Sequence, residues 1–208
     1  MKLTDALYWT GIAGALTISS YLFLREHERI PRNNFCVTAN KSSNQTIDQK
    51  IQDEQINFDT EEFTKDSPEV LLARTLYGEA RSESREVKEC IANTIVNRTK
   101  RQVWWGKSNY LNIADYSLKA VILKKFQYSC FNSNDPNLNE LKNPQGKSWQ
   151  ECLSVAKNVL EGKVADKTSG STHYHNAASN PFWAECKTPK LILQSNIGGD
   201  FKFYELER

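Results

Sequence analysis

The chain has 208 residues, 39% of them apolar and 25% charged, which is typical of a globular protein rather than a disordered one. Its 27 Lys+Arg against 25 Asp+Glu leave a net charge of +2, and so small a basic excess argues against a nucleic-acid partner. The five cysteines include no Cys-x-x-Cys pair, which excludes a disulfide-rich scaffold and disfavours structural zinc. We expect no metal and no cofactor.

The chain begins with an apolar segment at residues 6–24 that contains no charged side chain. It is long enough to cross a bilayer as one helix, and no small-x-small cleavage site follows it. We therefore predict an uncleaved membrane anchor with its flanks at residues 1–32; a buried core helix is the alternative. Three arginines between positions 25 and 32 outnumber Lys2, so the positive-inside rule alone would keep the rest of the chain in the cytoplasm.

A polar stretch at residues 33–66 has three Lys against seven Asp+Glu and no sustained periodicity, which predicts an acidic tether. Residues 67–208 hold 20 Lys+Arg against 15 Asp+Glu and form the predicted globular domain. A mildly basic domain on a stalk suits an anionic surface or polymer, although ordinary variation in surface charge explains the difference nearly as well.

The domain opens with a predicted helix, for which Ser67 is the N-cap and Pro68 the first residue. Leu72, Leu76 and Glu79 fall on one stripe of this helix. A carboxyl group on an apolar face must be paired or have a raised pKa, and a carboxylic acid that stays protonated near neutral pH can serve as a general acid. The alternative is a structural glutamate that bonds a neighbouring segment.

Three further helical segments follow. A helix over residues 83–100 carries Arg98 near its apolar stripe, where it can pair with a carboxylate, contact a ligand or only complement the helix dipole. Residues 118–123 form a short apolar helix or strand. Ser148 opens the last helix with a capping box, and Gly162 ends it.

The C-terminal part predicts short strands with a turn at residues 198–200. In a strand, His173 and His175 point to one face and Tyr174 to the other. Because no third ligand stands at a recognisable spacing, the histidine pair is expected to line a cleft rather than bind a metal. The strands are predicted at residues 171–175, 191–194 and 201–206.

Cysteine chemistry leaves two questions open. Cys130 with His173 or His175 could form a thiol nucleophile and its base, although a buried, inert cysteine is the commoner state. In an exported domain, disulfides could form in any of three pairings among Cys90, Cys130, Cys152 and Cys186, with Cys36 left over or joined to a second chain.

Several short motifs occur in a fixed order along the domain. They are ARTLYGEARSE (residues 73–83), ANTIVNR (92–98), FQYSCF (126–131), THYHN (172–176), PFWA (181–184) and a closing IG with FY (197–204). Together they resemble the SleB-like cell wall hydrolases from about Pro68 to Tyr204. The chain departs from that pattern in GEARSE, where relatives often have GEARGE, and in lacking a histidine between the closing IG and FY.

The resemblance implies a mainly α-helical fold with a small antiparallel β-hairpin or sheet, an α+β arrangement related to lytic transglycosylases and goose-type lysozymes. It implies peptidoglycan as the partner. Together with the predicted anchor at residues 6–24, it implies a catalytic domain on the wall side of the membrane, in the periplasm or outside the cell. The family's catalytic glutamate lies in its GEA motif, here Glu79.

The predicted reaction is cleavage of the β-1,4 bond between N-acetylmuramic acid and N-acetylglucosamine by a lytic transglycosylase that uses Glu79 alone. Glu83 is the possible second acid, and a catalytic Glu83 would make the reaction a hydrolysis. The alternatives are a non-catalytic wall-binding module and an amidase or peptidase of the stem peptides that uses Cys130. The residues expected to bind substrate are Arg98, Gln127, Tyr128, His173, Tyr174 and His175.

Overall fold

The computed structural model describes residues 60–206. The predicted anchor at residues 6–24 and most of the predicted tether lie outside these residues. Within the described part of the chain, no helix is both long and apolar enough to span a membrane.

Five α-helices and one small sheet form the described structure, and the prediction of a mainly helical α+β fold is confirmed. Four 3-10 segments connect these elements, at Glu61–Lys65, Trp104–Gly106, Ser129–Phe131 and Phe182–Ala184. The helices are α1 (Pro68–Ala80), α2 (Arg85–Arg101), α3 (Leu118–Ile122), α4 (Leu138–Lys142) and α5 (Gly146–Leu160).

Helix α1 lies at the centre of the core. It starts as predicted, because the Ser67 hydroxyl accepts a hydrogen bond from the Val70 amide and Pro68 occupies the first turn. Leu72 and Leu76 are fully buried, and α1 packs on α2, α3 and α5. Its C-terminal end, which carries Glu79, is therefore held from several sides.

The ends of the other long helices only partly match the prediction. Helix α2 has Ser84 as its N-cap and ends at Gln102, whose φ of 52° is left-handed. Helix α5 begins at Gly146 rather than after Ser148, so Ser148 already has helical backbone and the predicted capping box is wrong. Gly162 follows the end of α5 with a φ of 69°, as a helix-terminating glycine should.

The sheet has three antiparallel strands in the order β1-β3-β2. Strand β1 is His173–Asn176, β2 is Leu191–Leu193 and β3 is Phe201–Tyr204. Strands β2 and β3 lie within the predicted segments, whereas β1 starts two residues later than predicted and continues one residue beyond, to Asn176. Strands β2 and β3 are joined through Gly198 and Gly199, both with positive φ. Strand β1 contacts α2, so the sheet packs against the helical part of the core.

The packed structure starts before Ser67. Phe63, in the 3-10 segment Glu61–Lys65, is 2% exposed and meets the Phe131 ring edge-on. The Thr60 hydroxyl is hydrogen-bonded to the Tyr110 hydroxyl. Residues 60–66 thus contribute an aromatic side chain to the core.

Candidate active site

The Gly78-Glu79-Ala80 motif forms the last turn of α1. A Cβ atom on Gly78 would lie 2.5 Å from Cβ and 2.7 Å from Sγ of Cys130, so only glycine allows the 3-10 segment Ser129–Phe131 to approach the helix so closely. Ala80 is buried on another side. The close packing of Gly78 and Ala80 thus fixes the position of the Glu79 side chain between them.

The Glu79 carboxyl group is partly buried and hydrogen-bonded. The Tyr174 hydroxyl donates to its Oε2 at 3.0 Å, and the Cys130 thiol also bonds it. Burial is the largest influence and raises the pKa of Glu79 to about 7; the charge of Asp135 adds to the rise, whereas Tyr174, Cys130 and Arg98 oppose it. A carboxyl group with a pKa near 7 can donate a proton and take one back at neutral pH.

A cleft opens at this end of α1. Its wall includes two further acidic side chains besides Glu79. The lining residues that bear on the chemistry are Glu79, Glu83, Cys130, Asp135, Asn137 and Ile197. Asp135, Asn137 and Ile197 were not predicted to be site residues. The signal for the first two is the turn-forming Asn-Asp-Pro-Asn sequence at residues 134–137.

Glu83 lies in the cleft wall but its carboxylate is already bonded. Ser195 donates its hydroxyl to Oε1 at 2.7 Å, and the Asn196 amide donates to Oε2 at 2.8 Å. The side chain is 5% exposed. Glu83 therefore holds the loop before Ile197 in place, and its role as a second acid stays a prediction.

Arg98, Gln127 and Tyr128 form a buried layer behind Glu79. The Arg98 guanidinium donates to Gln127 Oε1 at 2.9 Å, to the Tyr128 hydroxyl at 3.2 Å and to the Thr172 carbonyl at 2.6 Å. All three predicted residues are less than 9% exposed. Arg98 thus connects α2 to the residue that precedes β1, and its charge favours the ionised form of Glu79.

The alternation predicted for β1 is confirmed. Tyr174 points toward Glu79, while His173 and His175 lie on the opposite face, where both rings contact Trp183. His175 also stacks on Tyr204 with ring centroids 5.5 Å apart. The histidines were expected to line a cleft, but they are buried in an aromatic cluster and are not part of the wall beside Glu79.

Cys130 has the surroundings of an unreactive thiol. Burial, the largest influence, and the nearby charges of Glu79 and Asp135 raise its pKa well above the ordinary value, which disfavours the thiolate that a nucleophile requires. Cys90, Cys130 and Cys152 are free and buried. Cys186 is disulfide-bonded, but not to any of these three, so none of the three predicted pairings among the four cysteines is formed.

Metal binding finds no site in the structure described. Among residues 60–206, no group of three or more His, Cys, Asp or Glu side chains is placed to hold an ion.

Comparison with known proteins gives one clear result. The family model described as Cell Wall Hydrolase matches residues 82–199, more than half of the chain. The matched region includes Glu83, Cys130, Asp135, Asn137 and Ile197 of the cleft wall. Glu79 stands just before the matched region. No solved structure matches the chain, so the likeness to lysozymes and lytic transglycosylases stays an expectation. The match confirms the resemblance seen in the motifs, and the chain belongs to the cell wall hydrolase family.

Proposed function

We propose that this protein is a lytic transglycosylase that cleaves the β-1,4 bond between N-acetylmuramic acid and N-acetylglucosamine in peptidoglycan, with Glu79 as its single proton-transfer group. The observation that carries the proposal is the Glu79 carboxyl group itself. It stands in an open cleft, and burial raises its pKa to about 7. Family membership supports peptidoglycan as the substrate.

In the first step, Glu79 donates its proton to the glycosidic oxygen as the bond to C1 of the muramic acid breaks. The electron pair leaves with that oxygen. In the second step, the muramic acid 6-hydroxyl oxygen attacks C1 and its proton passes to the Glu79 carboxylate. The product carries a 1,6-anhydro ring, no water is consumed, and Glu79 is protonated again.

The burial of Glu83 supports a reaction with one proton-transfer group. Its side chain is 5% exposed, and its two oxygens hold the loop through the Ser195 hydroxyl and the Asn196 backbone amide. A general base must reach a water or hydroxyl of the substrate, which a carboxylate so enclosed does not. The Glu79 side chain, in contrast, is only partly buried and lines the cleft. The hydrogen bonds from Tyr174 and Cys130 favour its ionised form, which must accept the second proton.

The test is digestion of purified sacculi by the full-length chain, followed by mass spectrometry of the products. We expect anhydromuramic ends from the wild type and a rate at least about 100-fold lower in Glu79→Gln, since general acid–base catalysis commonly contributes 10²–10⁴-fold. Glu69→Gln, at the other end of α1, is the matched control and should keep full activity.

Three other outcomes would contradict this proposal, and each would indicate a different function. Reducing muramic acid ends would indicate hydrolysis. Intact glycan with new free amino groups, abolished in Cys130→Ser, would indicate cleavage of the stem peptides. Binding to sacculi without any cleavage, unchanged in Glu79→Gln, would indicate a wall-binding module.

The proposal includes a location. Residues 6–24 would anchor the protein in the membrane, and residues 67–208 would act on the wall side. The uncharged apolar segment and the extracytoplasmic position of peptidoglycan support this arrangement. Protease treatment of intact spheroplasts should degrade the catalytic domain while the protein stays in the membrane fraction; protection of the domain would place it in the cytoplasm.

A further inference from the structure

Asp135 reaches the cleft from a part of the chain far from α1. It lies in the loop between Ser129–Phe131 and α4, and its side chain is half-buried in the wall that Glu79 also lines. One carboxylate oxygen, Oδ1, accepts a hydrogen bond from the Asn137 amide at 2.8 Å. The other, Oδ2, accepts none from residues 60–206. One oxygen therefore holds the turn while the second stays available to the cleft.

The charged and titratable groups around Glu79 come from four elements. Arg98 belongs to α2, Tyr174 to β1 and Cys130 to the 3-10 segment, and Asp135 belongs to the loop before α4. Of these, Asp135 carries the negative charge. Because Asp135 lines the same cleft wall as Glu79 and Cys130, its charge stands close to the point where a glycosidic bond would be broken.

We propose that Asp135 is a second catalytic carboxylate, whose charge stabilises the positive sugar ring that forms while Glu79 protonates the leaving oxygen. This inference rests on the proposed function. As the bond from C1 breaks, its electron pair leaves with the protonated oxygen, and positive charge spreads over C1 and the ring oxygen. Asp135 neither gives nor takes a proton in either step. The charge disappears when the 6-hydroxyl oxygen bonds to C1 and its proton returns to Glu79.

A neutral replacement that keeps the turn separates this role from a structural one. Asp135→Asn retains an Oδ1 that can accept from Asn137, and Asp135→Ser keeps a shorter acceptor. Asp200→Asn removes the same charge from an exposed position near the sheet that does not line the cleft. All three are made in the full-length chain, with purified glycan strands as substrate.

We expect kcat to fall by about 10- to 100-fold in both Asp135 variants, as when one preorganised electrostatic partner of a transition state is removed. KM should change by less than about twofold, because the positive charge is absent from the bound substrate. Melting temperatures should match the wild type. Asp200→Asn should leave kcat unchanged.

The pH profile tests how close the Asp135 charge lies to Glu79. Removing the Asp135 charge makes ionisation of Glu79 easier, so the basic limb of kcat should move to lower pH in Asp135→Asn and not in Asp200→Asn. If Asp135 serves only the turn, Asp135→Asn will have the kcat of the wild type at its own pH optimum, and the inference fails. A basic limb that does not move also overturns it, because the charge then lies too far from the reacting atoms. A rise in KM alone also overturns it.

The same assay separates this inference from the proposed function. Glu79→Gln that retains activity would overturn the proposed function, whatever Asp135 does. Glu79→Gln without activity beside fully active Asp135→Asn and Asp135→Ser would leave the proposed function standing and overturn the role of Asp135 alone.

Discussion

Replacing Tyr174 by Phe should move the basic limb of the pH–activity profile to higher pH. The Tyr174 hydroxyl donates to Glu79 Oε2 at 3.0 Å, which stabilises the ionised carboxylate and lowers the pKa of Glu79 below the value that burial alone would give. Phe removes the donor but keeps the ring, which packs beside Phe201 and Phe203 at centroid distances of 6.3 and 5.9 Å. The change is therefore confined to one hydrogen bond.

The size of the effect follows from the strength of a hydrogen bond to a charged group, about 1.5–3 kcal/mol. Since 1.36 kcal/mol corresponds to one pKa unit, the limb should move upward by about 1 to 2 pH units from its wild-type position near the Glu79 pKa of about 7. Activity should consequently extend further into the alkaline range, even if kcat at the optimum is lower because Glu79 is less well positioned.

The assay is the pH dependence of kcat/KM on purified glycan strands, with products identified by mass spectrometry. The matched control is Tyr77→Phe, which removes a comparable bond, from the Tyr77 hydroxyl to Glu140 at 2.9 Å, outside the contacts of Glu79. A limb that stays in place or moves to lower pH in Tyr174→Phe would refute the reasoning, because it would mean that Tyr174 does not stabilise the carboxylate that performs the reaction.

Three other substitutions test separate parts of the site. Glu79→Gln should raise the free energy of unfolding at pH 8 by up to about 3 kcal/mol. The pKa of Glu79 is about 7 in the folded protein against 4.5 ordinarily, so the native stability is fully present below pH 4.5 and falls as the pH rises through 7 and the buried carboxyl group ionises. The gain, measured by urea denaturation, should therefore vanish at pH 4. Gly78→Ala should destabilise the fold by about 1–3 kcal/mol through overpacking against Cys130, and unchanged urea unfolding would argue against the close approach. Glu83→Gln removes the charge and leaves one acceptor oxygen for the two donors Ser195 and Asn196, which should cost about 1–3 kcal/mol and raise KM more than it lowers kcat; a selective loss of kcat would instead make Glu83 catalytic.

The sequence predicted the elements wherever a local signal decides them. Ser67 and Pro68 fix the start of α1 within a few residues, and the apolar spacing that follows identifies its buried stripe. The prediction failed at the start of α5. Ser148 has the residue types of a capping box around it, but the helix begins at Gly146, and Gln145 at the N-cap position makes no side-chain capping bond. A helix that starts without a side-chain cap carries no residue signature by which its first residue can be located.

The opposite side of α1 was harder to interpret. Gly78 falls away from the stripe of Leu72 and Leu76, a position that suggests solvent, yet it lies against Cys130 because α1 is enclosed on more than one face. A helix covered on several sides loses the simple two-faced pattern from which burial is inferred. The motif therefore predicts a role for Glu79, but it does not give the reason for the neighbouring glycine.

The surroundings of Glu79 depend on contacts between distant segments, and this limits what a local pattern can predict about the site. Strand alternation separates Tyr174 from His173 and His175, but it cannot say which face meets the glutamate. That choice is made by pairing with β3, where Phe203 lies opposite Tyr174 and Tyr204 stacks on His175. The histidines have the more familiar catalytic side chains, so residue type alone favours the wrong face. The tyrosine hydroxyl is the group that touches the carboxylate, and its position follows from the register of a strand that comes almost thirty residues later.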